Sequence, residues 1–345
     1  MNSQQQSPLN CSSIALFPGQ GSQFVGMGKD LLENFKIVKE LFEEASDSIH
    51  INLKKLCLDG RESDLTLTEN TQPCLLVTSI AAFQVAVSET GYRPSAVAGH
   101  SLGEYSALVA AQAFPLSTAV RWVHERGKAM QAAVPAGQGT MAAVLSLDDQ
   151  KIIELCKKAT QNAIQKRAQG EHTELTVEAV VEPANFNSPG QVVIAGSTDA
   201  IHEAIQLIKS APEFSGGKAI PLSVSAPFHC RLMAPARDRM ANLFSAALAH
   251  ETPKTLNYPY VPNRTGILTQ EPGIVFELLV EQVDHPVLWK HSMAHLIEKD
   301  FNHFIEFGPG KVLSGLMKRI AQPLGKSCNS FQVSDTSSLK TTFKI

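Results

Sequence analysis

Residues 97–111 read Val-Ala-Gly-His-Ser-Leu-Gly-Glu-Tyr-Ser-Ala-Leu-Val-Ala-Ala, and this stretch decides how the chain is interpreted. A short apolar run is followed by Gly99-His-Ser-Leu-Gly103, a G-x-S-x-G pentapeptide, and then by a helix-forming segment. In a strand–turn–helix elbow the serine stands at a sharp bend beneath a helix N-terminus, and the glycines let neighbouring backbone pass close. We therefore predict that Ser101 is a nucleophile for acyl chemistry. The alternative is a helix N-cap serine between two turn glycines, but a cap does not require glycine on both sides.

The composition is that of an ordinary globular protein. The chain has 345 residues, of which 43% are hydrophobic and 18% charged, and its formal net charge is −3. This length favours one large domain plus a smaller one. No apolar run approaches the roughly 20 residues of a membrane span, so no membrane contact is expected. Lysine and arginine are scattered along the chain, which argues against nucleic-acid binding.

The cysteines and the N-terminus indicate a cytoplasmic protein. The six cysteines lie far apart and form no C-x-x-C, so neither a zinc site nor a disulfide framework is predicted. The first residues, Met-Asn-Ser-Gln-Gln-Gln-Ser, lack the basic and apolar regions of a secretory signal. We expect reduced thiols, no bound metal, and a frayed tail over residues 1–12.

Strands and helices alternate through most of the chain, which predicts an α/β protein. Short strands are indicated at 14–17, 97–98, 258–261 and 303–307, with helices between them. Such alternation implies a parallel sheet covered on both faces. We expect a larger, α/β-hydrolase-like catalytic domain from residues 13–136 and 219–325, followed by a tail over 326–345.

A different pattern runs from residue 139 to about 225, and we place a separate small domain at 137–218. It indicates strands at 141–145, near 177–181, at 191–195 and at 219–224, and helices at 148–161 and 199–209. The order β-α-β-β-α-β predicts a smaller ferredoxin-like domain inserted in the larger one. The polar stretch 161–174 is interpreted as an exposed extension of a helix or a loop.

Two glycine-rich loops superficially suggest phosphate binding. The loop Pro18-Gly-Gln-Gly-Ser-Gln23 follows a strand, but its spacing fits neither G-x-G-x-x-G nor a Walker motif. The segment Gly308-Pro-Gly-Lys311 has a lysine but also lacks the Walker spacing. Nucleotide binding is therefore the weaker interpretation, and the first loop is kept as a functional candidate.

A serine needs a base to accept its proton as it attacks, and histidine is the usual one. Among the eleven histidines, His229 is the best candidate, because it lies in the loop 225–230 between a predicted strand and a helix. A packing or capping role explains that position equally well. His100 adjoins Ser101, but adjacent side chains on a turn point apart, so it is expected to shape the elbow or line the pocket.

Arg126 lies on the apolar face of a predicted helix, three residues after Val123 and four before Met130. A buried guanidinium is costly unless a carboxylate or phosphate meets it, and a substrate carboxylate would serve. On the pattern alone, pairing with an acid such as Glu104, or extension of the side chain to the surface, is the favoured interpretation.

These residues belong to a longer series of motifs, and with them the chain resembles the malonyl-CoA:acyl-carrier-protein transacylases of bacterial fatty acid synthesis, which are related to polyketide synthase acyltransferases. The resemblance runs from about Ile14 to about Ile320. It rests on the segments 17–23, 71–73 (Thr-Gln-Pro), 99–104, 126–128, 185–190, 227–230 and 307–311, and on Asn263 and Gln282.

The resemblance implies a role for each matching residue. Ser101 would carry the acyl group and His229 would be the base and acid, oriented by the backbone carbonyl of Gln282 in place of a triad aspartate. The backbone N–H groups of Gln20 and Leu102 would form the oxyanion hole. Arg126 would hold the free carboxylate of malonate bidentately.

The resemblance also implies the reaction. Malonyl would pass from malonyl-CoA to Ser101 and then to the phosphopantetheine thiol of acyl carrier protein, in a ping-pong cycle without cofactors. Both malonyl-CoA and holo acyl carrier protein are substrates, and the carrier must come from another chain, since none is present here. We expect a monomer.

Phe228 bears on selectivity, because an aromatic side chain next to His229 should crowd an α-methyl branch. Phenylalanine there is typical of malonyl-specific polyketide acyltransferases, whereas many single-protein transacylases carry a smaller residue. Phe228 and the insertion at 161–174 are thus departures from the family's pattern. A trans-acting polyketide acyltransferase, an acyl-thioester hydrolase and a non-catalytic scaffold protein are the alternatives.

Overall fold

A computed structural model describes residues 12–345, and so the predicted N-terminal tail, except for residue 12, and Cys11 lie outside the described residues. The elements, in chain order, are β1 Ser13–Phe17, α1 Lys29–Asn34, α2 Lys36–Ile49, α3 Leu53–Asp59, α4 Glu62–Thr66, α5 Thr68–Thr90, β2 Ala96–Gly99, α6 Gly103–Ala110, α7 Leu116–Ala132, β3 Gly139–Leu145, α8 Asp149–Ala168, β4 Val181–Ser188, β5 Gln191–Ser197, α9 Thr198–Ser210, β6 Lys218–Pro221, α10 Ala234–Ala247, β7 Tyr260–Val261, α11 Val275–Glu281, α12 Trp289–Glu298, β8 His303–Phe307, α13 Val312–Ala321, β9 Asn329–Val333 and α14 Thr336–Phe343.

The chain forms two compact units. The first unit contains the residues up to 127, 246–275 and 292–345, and the second unit contains 128–245 and 276–291. The second unit extends beyond the predicted insertion at 137–218, partly because Val287 pairs with β4: the Phe186 N–H donates to the Val287 carbonyl over 2.9 Å. Backbone pairing over a hundred residues leaves no pattern in the sequence.

A five-stranded parallel sheet forms the centre of the first unit. Its strand order is β7-β2-β1-β8-β9, and Phe17 of β1 lies opposite Gly99 of β2. Because the carboxyl ends of parallel strands meet at one edge, the loop after Phe17 and the elbow after Gly99 leave the sheet side by side.

Aromatic side chains fill the core against this sheet. The ring of Phe83 packs edge-on against Phe17 and Phe307, with centroids 5.7 and 5.4 Å apart, and Tyr92 lies 5.2 Å from Phe343. Each such pair contributes about 0.5–1.5 kcal/mol beyond the area that it buries. These contacts tie α5 and α14 to the central strands.

The segment Thr71-Gln-Pro73 predicts the start of a long apolar helix, because proline is tolerated in a first turn. Helix α5 begins three residues earlier, at Thr68, and ends before Gly91, which has a φ of 67°. By length and composition alone, its 23 residues could cross a membrane, so the expectation that no such run exists was wrong. However, 83% of its most apolar window is buried inside the protein. The helix is therefore apolar because it forms part of the protein core.

The second unit contains a four-stranded antiparallel sheet in the order β4-β5-β3-β6. The predicted element order β-α-β-β-α-β is the observed one, and Met141 of β3 lies opposite Ala195 of β5. Helices α8 and α9 pack their apolar residues against this sheet, among them Ile152, Leu155 and Ile201.

Two predicted boundaries in this unit were wrong. The strand expected near 177–181 begins only at Val181, because side chains form hydrogen bonds with the backbone before it. Gln138 Oε1 accepts from the Thr176 N–H, and Arg167 donates to the Val177 carbonyl. Strand β6 ends at Pro221 instead of reaching residue 224. Helix α8 continues to Ala168 and takes in the first half of the polar stretch 161–174.

Residues 326–345 are not the tail that the sequence suggested. Strand β9 pairs in parallel with β8, with His303 opposite Asn329, and α14 follows it. The helix begins with a capping box in which the Asp335 side chain accepts from the Ser338 N–H over 2.7 Å. The C-terminal segment therefore completes the parallel sheet.

Candidate active site

The G-x-S-x-G segment folds as a tight elbow in the first unit. Strand β2 ends at Gly99, α6 begins at Gly103, and Ser101 between them has a φ of 53°. A non-glycine residue in this left-handed region stores about 1–3 kcal/mol of strain and persists only where its surroundings impose it. The predicted elbow is thus present, and the candidate nucleophile is its most strained residue.

Both glycines of the motif are required by close backbone contacts. A Cβ on Gly99 would lie 1.8 Å from the Gly103 carbonyl oxygen, and one on Gly103 would lie 2.0 Å from the Phe17 oxygen. The N-cap of α6 is Leu102, which makes no side-chain cap. The alternative interpretation of Ser101 as an N-cap serine was therefore wrong.

Asn263 binds the elbow on both sides of His100. Its side-chain Oδ1 accepts from the Ser101 N–H over 2.6 Å, and its Nδ2 donates to the Gly99 carbonyl over 2.6 Å. Its own backbone N–H donates to Oε2 of Glu104 over 3.1 Å. Asn263 and Glu104 are both buried, so these bonds do not compete with solvent.

Arg126 is buried beside the candidate nucleophile. Its side chain is 1% exposed; Nη2 donates to Ser101 Oγ over 3.1 Å and Nη1 donates to Gln72 Oε1 over 2.8 Å. The guanidinium also lies 5.7 Å from the ring centre of Tyr105. The expectation that this side chain extends to the surface was wrong.

Burial lowers the pKa of the Arg126 guanidinium, and the charges of Tyr105 and Glu104 oppose that shift. An arginine side chain nevertheless stays protonated in proteins. The site thus contains a fixed positive charge within hydrogen-bond distance of the serine hydroxyl.

Helices α5 and α7 hold Arg126 and Gln72 in register. Pro73 lies inside α5 and has no N–H to donate to the Glu69 carbonyl one turn earlier. His124 on α7 lies with Nδ1 2.9 Å from that carbonyl and satisfies it. A Cβ on Gly127 would lie 2.6 Å from the Glu69 Cα, so the two helices touch at this point.

Some backbone N–H groups near the elbow have no acceptor within residues 12–345. Among them are those of Gln20 and Leu102, the residues predicted for the oxyanion hole. The loop that carries Gln20 lies against the elbow, because a Cβ on Gly19 would be 2.5 Å from the His100 carbonyl oxygen. Since the Ser101 N–H is bound by Asn263, the Leu102 N–H is the donor that the elbow itself can offer.

In the second unit, His229 is held by a backbone carbonyl. Its Nδ1 lies 2.8 Å from the Gln282 oxygen, and both residues are buried. A carbonyl can only accept, so Nδ1 carries the proton, and in the neutral ring Nε2 carries the electron pair with which a base accepts a proton. His229 also has a positive φ, 61°, which places a second predicted site residue in the strained region.

The neighbours of His229 are packed and unreactive. Phe228 is buried, and the Cys230 Sγ donates to the Pro227 carbonyl over 3.1 Å. Burial raises the pKa of the Cys230 thiol, so this cysteine is not a thiolate nucleophile at neutral pH. Cysteines 57, 74, 156, 230 and 328, which are those in the described part of the chain, are all unpaired.

A family model for the acyl transferase domain matches residues 15–330. The chain belongs to the acyl transferase domain family.

Relatives in this family match about nine tenths of the chain. The malonyl CoA-acyl carrier protein transacylase of Bacillus subtilis (strain 168) is 42% identical over 314 residues, which cover 91% of this chain and 92% of the relative. The enzyme of the same name from Escherichia coli (strain K12) is 43% identical over 315 residues, with 90% and 94% coverage.

Solved structures of the family match the fold. A Vibrio cholerae acyl carrier protein S-malonyltransferase is 40% identical, with a TM-score of 0.84 and coverage of 96% of this chain and 99% of that one. A malonyl-transacylase solved in complex with its type II PKS acyl-carrier protein is 40% identical, with a TM-score of 0.85 and the same coverage.

For this acyltransferase, the sequence assigned no role to Gln72 or Asn263, and it suggested Glu104 only as an acid that could pair with Arg126. Asn263 and Gln72 were noted only as matches in the motif series. A signal for Gln72 does exist, because a glutamine inside a long apolar helix must be buried with a partner. Asn263 carries no such local signal, since its partners lie 162 and 164 residues away.

Proposed function

We propose that this acyltransferase transfers malonyl from malonyl-CoA to the phosphopantetheine thiol of acyl carrier protein through a malonyl-Ser101 intermediate. The observation that carries the proposal is the buried Arg126 guanidinium, 3.1 Å from Ser101 Oγ. A fixed cation beside the nucleophile favours an acyl group with a second, free carboxylate. The names of the relatives support this substrate.

In the first half-reaction, Ser101 Oγ attacks the thioester carbonyl of malonyl-CoA, and His229 Nε2 takes the hydroxyl proton. The carbonyl oxygen becomes an oxyanion, to which the N–H groups of Gln20 and Leu102 donate. The C–S bond then breaks, and the thiolate of coenzyme A leaves with the proton from His229. Ser101 is left as a malonyl ester.

In the second half-reaction, the carrier thiol gives its proton to His229 and its sulfur attacks the ester carbonyl. The C–O bond breaks and Ser101 Oγ recovers the proton. Arg126 binds the free carboxylate throughout, and His100 shapes the elbow. Exclusion of water during the life of the ester separates transfer from hydrolysis.

Labelled malonyl-CoA tests this proposal. The wild-type chain should form a labelled band in the absence of carrier, release one coenzyme A per label, and lose the label when holo carrier protein is added. Ser101→Ala should show no band. A labelled band that persists in Ser101→Ala would overturn the assignment of the nucleophile.

A second candidate function is malonyl transfer for polyketide synthesis. One relative of 40% identity was solved with a type II PKS acyl-carrier protein, and Phe228, as an aromatic residue beside His229, is consistent with that type. Competition between a fatty acid carrier and a polyketide carrier for malonyl-Ser101 distinguishes the two. Release of free malonate faster than transfer to either carrier would instead indicate a thioester hydrolase.

The fold class of each unit, the oligomeric state, the location and the cofactor requirement are also part of this proposal. We propose an α/β-hydrolase-like first unit, supported by its parallel sheet with a nucleophile elbow after β2. The strand order of the second unit supports a ferredoxin-like class. We further propose that the chain acts as a cytoplasmic monomer and that acyl transfer through Ser101 and His229 uses no cofactor. Sedimentation of the purified chain tests its oligomeric state.

A further inference from the structure

Asn263 occupies a place where a strand would otherwise continue. Strands β7 and β2 pair in parallel, with Val97 opposite Tyr260 and Ala98 opposite Val261. Asn263 follows two residues after the end of β7, at the level where β2 has turned into the elbow. Pro262 has no N–H there, and the Asn263 N–H is bound to Glu104, so neither backbone N–H continues the ladder with β2.

The side-chain amide of Asn263 makes the two hydrogen bonds that the backbone of a strand residue would make at this place. In a parallel ladder, the N–H of one residue donates to a carbonyl on the next strand, and the carbonyl of the same residue accepts from the N–H two residues further along that strand. The Asn263 carboxamide does the same, donating to the Gly99 carbonyl and accepting from the Ser101 N–H, each over 2.6 Å. It therefore extends the β2 ladder into the turn.

Among side chains of this length, the amide makes both bonds at neutral pH. A carboxylate at residue 263 would have no donor for the Gly99 carbonyl, and leucine, which has the same shape, would have neither donor nor acceptor. The amide is itself fixed, because its backbone N–H is bound to Glu104 in the first turn of α6. Three consecutive parts of the elbow, Gly99, Ser101 and Glu104, thus depend on one residue.

We infer that Asn263 is the positioning residue for the nucleophile, holding Ser101 in its left-handed conformation so that Oγ and the Leu102 N–H are aimed at one substrate carbonyl. This inference rests on the proposed function. Without the amide, the backbone at Ser101 relaxes, and this displaces both Ser101 Oγ and the Leu102 N–H. Arg126 lies on α7 and keeps its bond to Gln72, so binding of the substrate carboxylate is retained.

The test is the kinetics of Asn263→Leu in the full chain, with malonyl-CoA and holo carrier protein. A displacement of about 1 Å can cost about 100-fold in rate, so kcat and the rate of malonyl-Ser101 formation should fall by about that factor. The KM for malonyl-CoA should change by less than about threefold, because the carboxylate contact survives.

Asn263→Asp supplies a second readout. Once protonated, an aspartic acid can donate to the Gly99 carbonyl through its hydroxyl and accept from the Ser101 N–H through its other oxygen. Ionised, it cannot, and it also faces the carboxylate of Glu104. The ratio of the Asn263→Asp rate to the wild-type rate should therefore rise as the pH falls, which a merely destabilised variant would not show.

Thr342→Val is the matched control. Thr342 is buried in α14 of the same unit, and its Oγ1 donates over 3.1 Å to the carbonyl of Gln332 in β9, the edge strand at the opposite end of the sheet from β7. This variant also loses a buried hydrogen bond without a change of shape. It should unfold at lower denaturant with its kcat unchanged.

The inference is overturned if Asn263→Leu forms malonyl-Ser101 at the wild-type rate, or if its loss appears in KM instead of kcat. Should Asn263→Leu fail to fold, a pH-independent rate ratio for Asn263→Asp overturns it. Failure of the proposed function is distinct, since the wild-type chain would then form no malonyl-Ser101 at all.

Discussion

The guanidinium of Arg126 donates to the hydroxyl oxygen of Ser101 over 3.1 Å. The charge and the nucleophile come from different helices: Arg126 from the middle of α7, and Ser101 from the turn before α6. Because Gln72 holds the other guanidinium nitrogen, the charge is aimed before any substrate arrives. Pre-orientation of this kind lowers the entropy that binding must cost and makes the choice of acyl group a property of the free enzyme.

Arg126→Ala should therefore change substrate preference. Loss of a charge-assisted contact costs about 1.5–3 kcal/mol, which corresponds to a fall of about 10- to 100-fold in kcat/KM for malonyl-CoA. Acetyl-CoA has no free carboxylate, so its kcat/KM should fall less, and the ratio of acetyl to malonyl transfer should rise. Parallel assays with the two substrates measure this ratio.

Arg121→Ala is the control for that experiment. Arg121 lies on the same helix and is half exposed. Its guanidinium donates to Glu251 over 2.6 Å, at a place away from Ser101. It should leave the substrate ratio unchanged. An equal loss for both substrates in Arg126→Ala would mean that Arg126 is structural.

The strain at Ser101 predicts an order of stability among inactive variants. Ser101 has a φ of 53°, at which a residue with a Cβ is disfavoured by about 1–2 kcal/mol relative to glycine. Ser101→Gly should therefore be more stable than Ser101→Ala by about 1 kcal/mol in urea unfolding, although neither has a nucleophile. The same pair of changes at Ser106, inside α6, should give the opposite order, since glycine is unfavourable within a helix. Equal stability of the two Ser101 variants would mean that the elbow relaxes on losing its hydroxyl.

The elbow could be predicted from the sequence because every part of it is local. The apolar run, the two glycines and the helix-forming segment all fall within 15 residues, and the close contact of Gly99 with Gly103 is a property of that segment itself. His229 and Arg126 were also named as candidates, but the pattern alone explained His229 equally well by packing and favoured ion pairing or surface exposure for Arg126, and their roles came from the resemblance to the family. Their hydrogen-bond partners lie 53 and 54 residues away along the chain, so the local pattern around each residue does not point to them.

The unpredicted features all depend on contacts between distant residues. Strand β9 carries weak strand signals by itself and is a strand because β8 offers a parallel edge. The start of β4 was missed because Arg167 and Gln138 occupy the backbone before it. Helix α5 begins at Thr68 because His124 satisfies the carbonyl that Pro73 leaves free, and proline would otherwise mark a first turn.

Glu306 makes the first unit less stable as the pH rises. This buried carboxyl group at β8 accepts from the Leu313 and Ser314 N–H groups at the start of α13, over 3.1 and 2.8 Å. Burial raises its pKa, and the backbone and side-chain bonds to Ser314 only partly oppose this. Its contribution to stability is therefore complete below the unfolded pKa of about 4.3 and is lost as the pH rises through the higher folded pKa.

Glu306→Gln cannot ionise, so the free energy of unfolding of the wild type minus that of the variant should decrease as the pH rises from about 4. Urea unfolding at a series of pH values measures this difference, with the exposed Glu277→Gln as a control. A difference that is constant with pH would contradict the raised pKa.

Asp199 in the second unit should show the opposite dependence. Its buried carboxylate receives two bonds from Arg167, over 2.7 and 2.9 Å. Burial acts to raise its pKa, but the bonds from Arg167, Ser197 and the Ala200 backbone outweigh it and lower the pKa. Stability from this pair is present above the unfolded pKa of about 3.9 and is lost as the pH falls through the folded value.

Asp199→Asn should cost about 1.5–3 kcal/mol at neutral pH, and less as the pH falls below about 4. The fluorescence of Trp289, which lies in the same unit, reports the transition in a Trp122→Phe background. Arg167→Met completes a double-mutant cycle, and a coupling energy near zero would show that the two side chains stabilise the unit independently.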